Sequence, residues 1–96
     1  MKTRVELDPQ VVSFVWTLAP EPRKRLRQAL RRLQVESGDL KQLEGDLEGY
    51  VRLRVGSYRV IIRFYTDNAE RVARCVFAEQ RAVVYELFGE ILHGSG

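Results

Sequence analysis

The stretch from Tyr50 to Tyr65 constrains this chain more than any other. Val51, Leu53 and Val55 alternate with Arg52 and Arg54; Gly56-Ser57 interrupts; then Tyr58, Val60, Ile62 and Phe64 alternate with Arg59, Ile61, Arg63 and Tyr65. Period-two alternation on both sides of a short Gly-containing turn predicts a β-hairpin. The pattern also fixes the register. With Arg54 opposite Arg59, Leu53 faces Val60, Val51 faces Ile62 and Val55 faces Tyr58, so these apolar side chains share one face. A slip of one residue would mix apolar and charged side chains on both faces. The same register brings Arg52, Arg54 and Arg59 together on the opposite face. Like charges directly across a strand pair are destabilising, and a bound phosphate would relieve them. A plain solvated face is the competing reading, because many antiparallel sheets leave one face polar.

The flanking segments complete an α+β domain. Lys2 to Leu7 has the charged alternation of an edge strand. Asp8-Pro9 opens a helix, with Asp as cap and Pro at its first position, and Val11, Val12, Val15 and Leu18 follow at helical spacing. Ala19-Pro20-Glu21-Pro22 breaks it and starts a second helix, predicted over 21–35, with Leu26, Leu30 and Leu33 as its core stripe. Ser37-Gly38 ends that helix, and 38–49 reads as a loop or short helical turn. After the hairpin, Thr66-Asp67-Asn68 is a second turn, and Arg71 to Ala78 has apolar residues on both faces, as a central strand does. A last helix is predicted over 81–92. The expected order is β-α-α-β-β-β-α: an antiparallel sheet, an N-terminal helical hairpin and a C-terminal helix, in one domain spanning 1–96.

Composition narrows the function classes. Cys75 is the only cysteine, so an internal disulfide and a cysteine metal site are excluded. It lies in an apolar strand pattern and reads as a small buried hydrophobe. The only histidine, His93, reads as part of a frayed end. No apolar run approaches the roughly 20 residues of a membrane span, and Met1-Lys2-Thr3-Arg4 opens without a secretory apolar region. A cytoplasmic protein is expected. The net charge is +3, and 13 of the 16 basic residues are arginine, the side chain best suited to phosphate and to stacking on bases. Arg23, Lys24, Arg25, Arg27, Arg31 and Arg32 cover the second helix outside its leucine stripe. They read either as a solvated face or as a surface for RNA phosphates or an acidic partner.

The segment Leu47–Ile61, with Gly49-Tyr50, the spaced pair Arg52 and Arg54, and Val55-Gly56-Ser57-Tyr58-Arg59-Val60-Ile61, resembles the central motif of the RelE/ParE superfamily of bacterial toxins. Gln80-Arg81-Ala82-Val83-Val84-Tyr85 resembles that family's terminal element, in which a histidine precedes the arginine. The resemblance covers nearly the whole chain but does not separate the branches. In the RelE branch it implies a ribosome-dependent messenger-RNA endoribonuclease, with Arg52, Arg54, Arg59, Arg81 and Tyr85 as catalytic positions, no metal and no cofactor. The implied reaction is attack of a ribose 2′-hydroxyl on the neighbouring phosphate, with fixed cations stabilising the phosphorane and the tyrosine stacking a displaced base. In the ParE branch it implies a non-enzymatic inhibitor of DNA gyrase; an inactive member would only bind its partner. All imply a cognate antitoxin. Two departures stand out: Arg52 and Arg54 replace the lysines of the best-known RelE members, and Gln80 replaces the histidine. Arginine stays protonated and is a poor general base; Glu79 is a nearby carboxylate whose side of the strand the sequence leaves open. Arg59 and Arg81 are expected to matter for toxicity and not for folding.

Overall fold

The computed structural model describes residues 2–94; Met1, Ser95 and Gly96, part of the expected 1–96 domain, lie outside it. The elements are β1 (Arg4–Leu7), α1 (Pro9–Thr17), α2 (Pro20–Arg31), β2 (Asp39–Gln42), β3 (Val51–Val55), β4 (Tyr58–Asp67), β5 (Glu70–Gln80) and α3 (Val84–His93). The α+β class and the placing of helices are as expected, and the hairpin register is the one the alternation dictates: Arg54 pairs with Arg59, Leu53 with Val60, Val51 with Ile62 and Val55 with Tyr58. Gly56 takes a left-handed φ of 58° at the turn, which glycine adopts without strain.

Three features differ from the expected order. The sheet has five strands, β1-β5-β4-β3-β2, because part of the predicted loop 38–49 forms the edge strand β2 beside β3. Its only apolar residue, Leu40, pairs with Leu53, too little to announce a strand in sequence. The segment packs closely at its start, where a Cβ added at Gly38 would stand 2.9 Å from Leu53 Cδ1. Second, the sheet is mixed and not antiparallel, since β1 runs parallel to β5. The helical hairpin between β1 and β2 supplies the crossover that a parallel pair needs. Third, α2 ends at Arg31 and continues as a 3₁₀ turn, Arg32–Val35, which a left-handed Glu36 closes. Thr3 Oγ1 donates to Glu36 Oε2 at 2.7 Å and Arg71 Nε donates to the same oxygen at 3.2 Å.

The core has two parts. On one face, α1 and α2 bring Val11, Val15, Leu26, Leu30 and Leu33 against Leu53, Val60, Ile62, Ala73, Cys75 and Ala78. On the other, α3 brings Val84 and Phe88 onto Ile61 and Phe77. That second cluster means the arginine face is not open along its length. A register shift between Ile61 and Ile62 against β5 turns Phe77 toward α3 while Cys75 faces the helical hairpin. The C-terminal helix starts at Val84, later than expected, and His93 is its last residue, with Nε2 3.9 Å from Asp46 Oδ2. Among the described residues, no helix is long and apolar enough to cross a membrane.

Candidate functional site

The strand ladder sets out the site row by row. Arg54 on β3 pairs with Arg59 on β4, and Arg59 pairs with Glu79 on β5, so the three lie side by side across the sheet. This places Glu79 on the arginine face. Its carboxylate accepts a hydrogen bond from the Gln80 backbone N–H at 2.9 Å. The row stands at the turn end of the hairpin, where the Arg81 backbone N–H donates to Ser57 O at 2.8 Å. That bond ties the exit of β5 to the hairpin turn and sets Arg81 beside it. Tyr85 follows in the first turn of α3, 37% exposed.

The five residues singled out from the sequence have different surroundings. Arg59 is buried, with 7% exposure, and its Nη1 donates to Gly56 O and Tyr58 O, both at 2.9 Å. A charged donor on two turn carbonyls holds the hairpin tip closed. Arg52 lies one row further along the strand, opposite Ile61, where its Nη1 donates to Asp39 O at 3.1 Å and Asp39 Oδ1 at 3.0 Å. It fastens β2 to β3 and sits away from Arg81. Arg54 and Arg81 are exposed, and among the described residues neither guanidinium has a hydrogen-bond or ion-pair partner. So the structure brings Arg54, Arg59, Arg81 and Tyr85 to one end of the sheet, while Arg52 is engaged in holding an edge strand. The expectation that Arg59 is dispensable for folding does not fit its burial and its two bonds to the turn.

Two residue groups were missed or left open in sequence. Glu79 was one; only the β5 register, with its shift near Ile61, decides its side. The other is Arg25 and Arg32, which share a cleft with Arg54; the sequence put both outside the leucine stripe of the second helix, but not against a strand. Cys75 is fully buried, and burial pushes its thiol up to about 12, so it is no nucleophile at neutral pH. Among the described residues, no three His, Cys, Asp or Glu side chains are grouped to hold a metal ion.

No protein-family model matches the chain, and no curated protein matches it in sequence. Solved structures do resemble it. The toxin–antitoxin complex RelBE2 from Mycobacterium tuberculosis has a chain that matches with a TM-score of 0.70 and 19% identity, over 84% of this chain and 100% of that one. The archaeal RelE–RelB complex from Pyrococcus horikoshii OT3 matches at 0.64 and 27% identity, over 84% and 97%. The YoeB/ParE toxin from Agrobacterium tumefaciens matches at 0.64 and 14% identity, over 81% and 98%. The architecture is therefore that of the small RelE-type toxins, a mixed sheet with a helical hairpin on one face. By fold the chain is similar to these RelE-type toxin structures, and its hairpin motif of residues 47–61 resembles that of the RelE/ParE superfamily.

Proposed function

We propose that this chain is the toxin of a toxin–antitoxin module and that it acts on RNA as a RelE-like endoribonuclease on the ribosome. The observation that carries the reading is the end of the sheet where Arg54 and Arg81, both exposed and without partners among the described residues, flank the turn that Arg59 braces, with Tyr85 exposed alongside. Unpaired guanidiniums held by a rigid sheet are what a phosphorane needs, since donors fixed in advance cost no reorganisation as charge develops. In the reaction, the 2′-oxygen bonds to phosphorus, the bond from phosphorus to the 5′-oxygen breaks, and a 2′,3′-cyclic phosphate forms. Arg54 and Arg81 bind the non-bridging oxygens, and Tyr85 stacks a base. Glu79, in the row with Arg54 and Arg59, takes the 2′-hydroxyl proton, and the departing 5′-oxygen takes a proton from water.

A second reading has its own support. Gln80 stands where the family has histidine, and the arginines stay charged, so the site is poor in proton acceptors. That favours a ParE-like inhibitor of DNA gyrase. Parallel assays separate the two: cleavage of messenger RNA on programmed ribosomes, and gyrase supercoiling. Cleavage abolished by Arg81→Ala, with supercoiling untouched, supports the first; inhibited supercoiling with intact messenger RNA overturns it.

The partner follows from the same reading. The M. tuberculosis structure is a toxin–antitoxin complex and the P. horikoshii structure a RelE–RelB complex, and we take this chain to have an antitoxin partner that silences it. The surface suited to it lies between α1 and α2, where Leu7, Val12 and Trp16 are exposed beside Arg23 and Arg27. Apolar anchors rimmed by arginine fit an acidic, amphipathic segment.

A further inference from the structure

Arginines of α2 and of the 3₁₀ turn that follows it face two different surroundings. Arg23 and Arg27 line the apolar groove with Trp16 and Leu7. Arg23 is itself committed there: its Nη2 donates to Leu18 O at 2.8 Å and its guanidinium lies 5.0 Å from the Trp16 ring centre. Arg25 on α2 and Arg32 at the start of the 3₁₀ turn instead line a cleft of about 380 Å³ between α2 and β3, with Gln28, Ser37, Asp39 and Arg54 and the apolar Ala29, Leu53 and Val55.

That cleft has the chemistry of an anion site. Arg25, Arg32 and Arg54 are all exposed, and among the described residues none has a hydrogen-bond or ion-pair partner. The one carboxylate on its lining, Asp39, is taken by Arg52 at 3.0 Å. The large exposed apolar side chains Leu7, Val12 and Trp16 lie in the other groove of the helix; the apolar side chains of this cleft are the buried Leu53 and the half-buried Ala29 and Val55. The side chains that stand exposed around the cleft are polar or charged, three of them arginines, and these supply the charge and hydrogen-bond donors that a phosphodiester backbone needs. Arg54 belongs both to this cleft and to the row with Arg59 and Glu79, so the two are continuous around the edge of β3. β2 ends opposite Arg54 at Asp39, and the sheet edge beyond it is left uncovered by any strand.

We propose that the α2–β3 cleft is a backbone subsite for single-stranded RNA, in which Arg25 and Arg32 bind phosphates flanking the one that Arg54 and Arg81 hold. The proposal rests on the RNA reading of the site and adds to it the direction in which the strand leaves, over β3 toward α2. It also makes α2 bifunctional, with RNA on one side and the antitoxin on the other.

The test is binding of a fluorescein-labelled single-stranded RNA of about 12 nucleotides to the full chain, freed from its antitoxin, across a salt series. Each phosphate contact on single strands adds about 0.7 to the slope of log affinity against log salt. Arg25→Gln with Arg32→Gln should therefore lower the slope by about 1.4 and weaken binding at least tenfold at low salt, with an unchanged melting temperature because both side chains are exposed. Arg54→Gln and Arg81→Gln serve as the comparison. If those two weaken binding and the Arg25/Arg32 pair does not, the subsite is overturned and the RNA reading stands. If none of the four changes binding, both fail together. If the pair leaves RNA binding intact but releases the antitoxin, the cleft is a protein-docking surface and the proposal is wrong.

Discussion

Arg59 and Arg81 are indistinguishable as motif positions, yet their surroundings set them apart. Arg59 is buried, with both bonds of one guanidinium nitrogen spent on the turn carbonyls of Gly56 and Tyr58. Truncation leaves those carbonyls unpaired, and hydrogen bonds to a charged group contribute about 2 kcal/mol. Arg59→Ala should then lower the melting midpoint by roughly 10 °C in a domain of this size. Arg81→Ala should melt within about 2 °C of wild type, as exposed substitutions do, while growth inhibition is lost. Calorimetry and a plate toxicity assay read both; equal melting of the two variants would contradict the bracing role. The alternation in 50–65 made the pairing of Arg54 with Arg59 legible, because only one register buries the apolar set. It could not show where the guanidiniums go, since that depends on turn carbonyls and on the neighbour at Asp39. Cys75 carries a separate prediction. Its folded-state pKa, about 12, lies above the ordinary 9.0 of an exposed thiol. Below pH 9 both states hold the proton, and the full stability is present; between these values only the unfolded chain gives it up, so stability falls as pH rises. Urea titrations at pH 8 and 10 should show wild type losing about 1 kcal/mol more than Cys75→Ala, and equal losses would mean that the thiol is solvated.

At the scale of elements, the unequal depth of burial on the two faces matters most. The α1–α2 side supplies a continuous core, whereas α3 is held by Val84 and Phe88, with Leu87 half-buried. Phe88 packs edge-on to Tyr50 with centroids 5.1 Å apart and tilted on Phe77 at 5.7 Å. Phe88→Ala should cost about 3 kcal/mol. It should also speed hydrogen exchange of the α3 amides far more than that of β4 and β5, because α3 can open without unpairing the sheet. Uniform acceleration would show that α3 and the sheet unfold as one unit. The elements also divide by legibility. The helix announced by Asp8-Pro9 starts at Pro9, and the one predicted from 21 starts one residue earlier, at Pro20. β2 was not legible, being four residues on an edge with a single apolar side chain. The parallel pairing of β1 was not legible either, since a strand's own pattern does not carry its direction. Apolar residues on both faces of Arg71–Ala78 did signal a central strand; the second core, where Phe77 meets α3, was not drawn from them.

At the scale of the whole molecule, a chain of 96 residues with two thin cores leaves apolar surface that a partner can cover. Domains of this size bury only about 60–65% of their unfolded surface, and here Trp16 remains 63% exposed, with Val12 and Leu7 each 40% exposed beside it. The proposed antitoxin segment, acidic on one side and apolar on the other, would fold as it binds this groove, which orders it and buries a large area. Mass action then requires the complex to melt well above the free toxin. Trp16→Ala should weaken the complex at least tenfold, since a buried aromatic anchor contributes about 2 kcal/mol or more, and should leave the toxin's own melting unchanged. Affinity should fall as salt is added, because the pairs with Arg27 and its neighbours sit at exposed positions where ions screen them. Hydrogen exchange on the free and bound toxin locates the contact: α1 and α2 amides should gain protection on binding. Protection confined to β3, β4 and α3, or a complex indifferent to Trp16→Ala, would place the antitoxin on the arginine face instead and would make direct occlusion of the site, not docking behind it, the means of silencing.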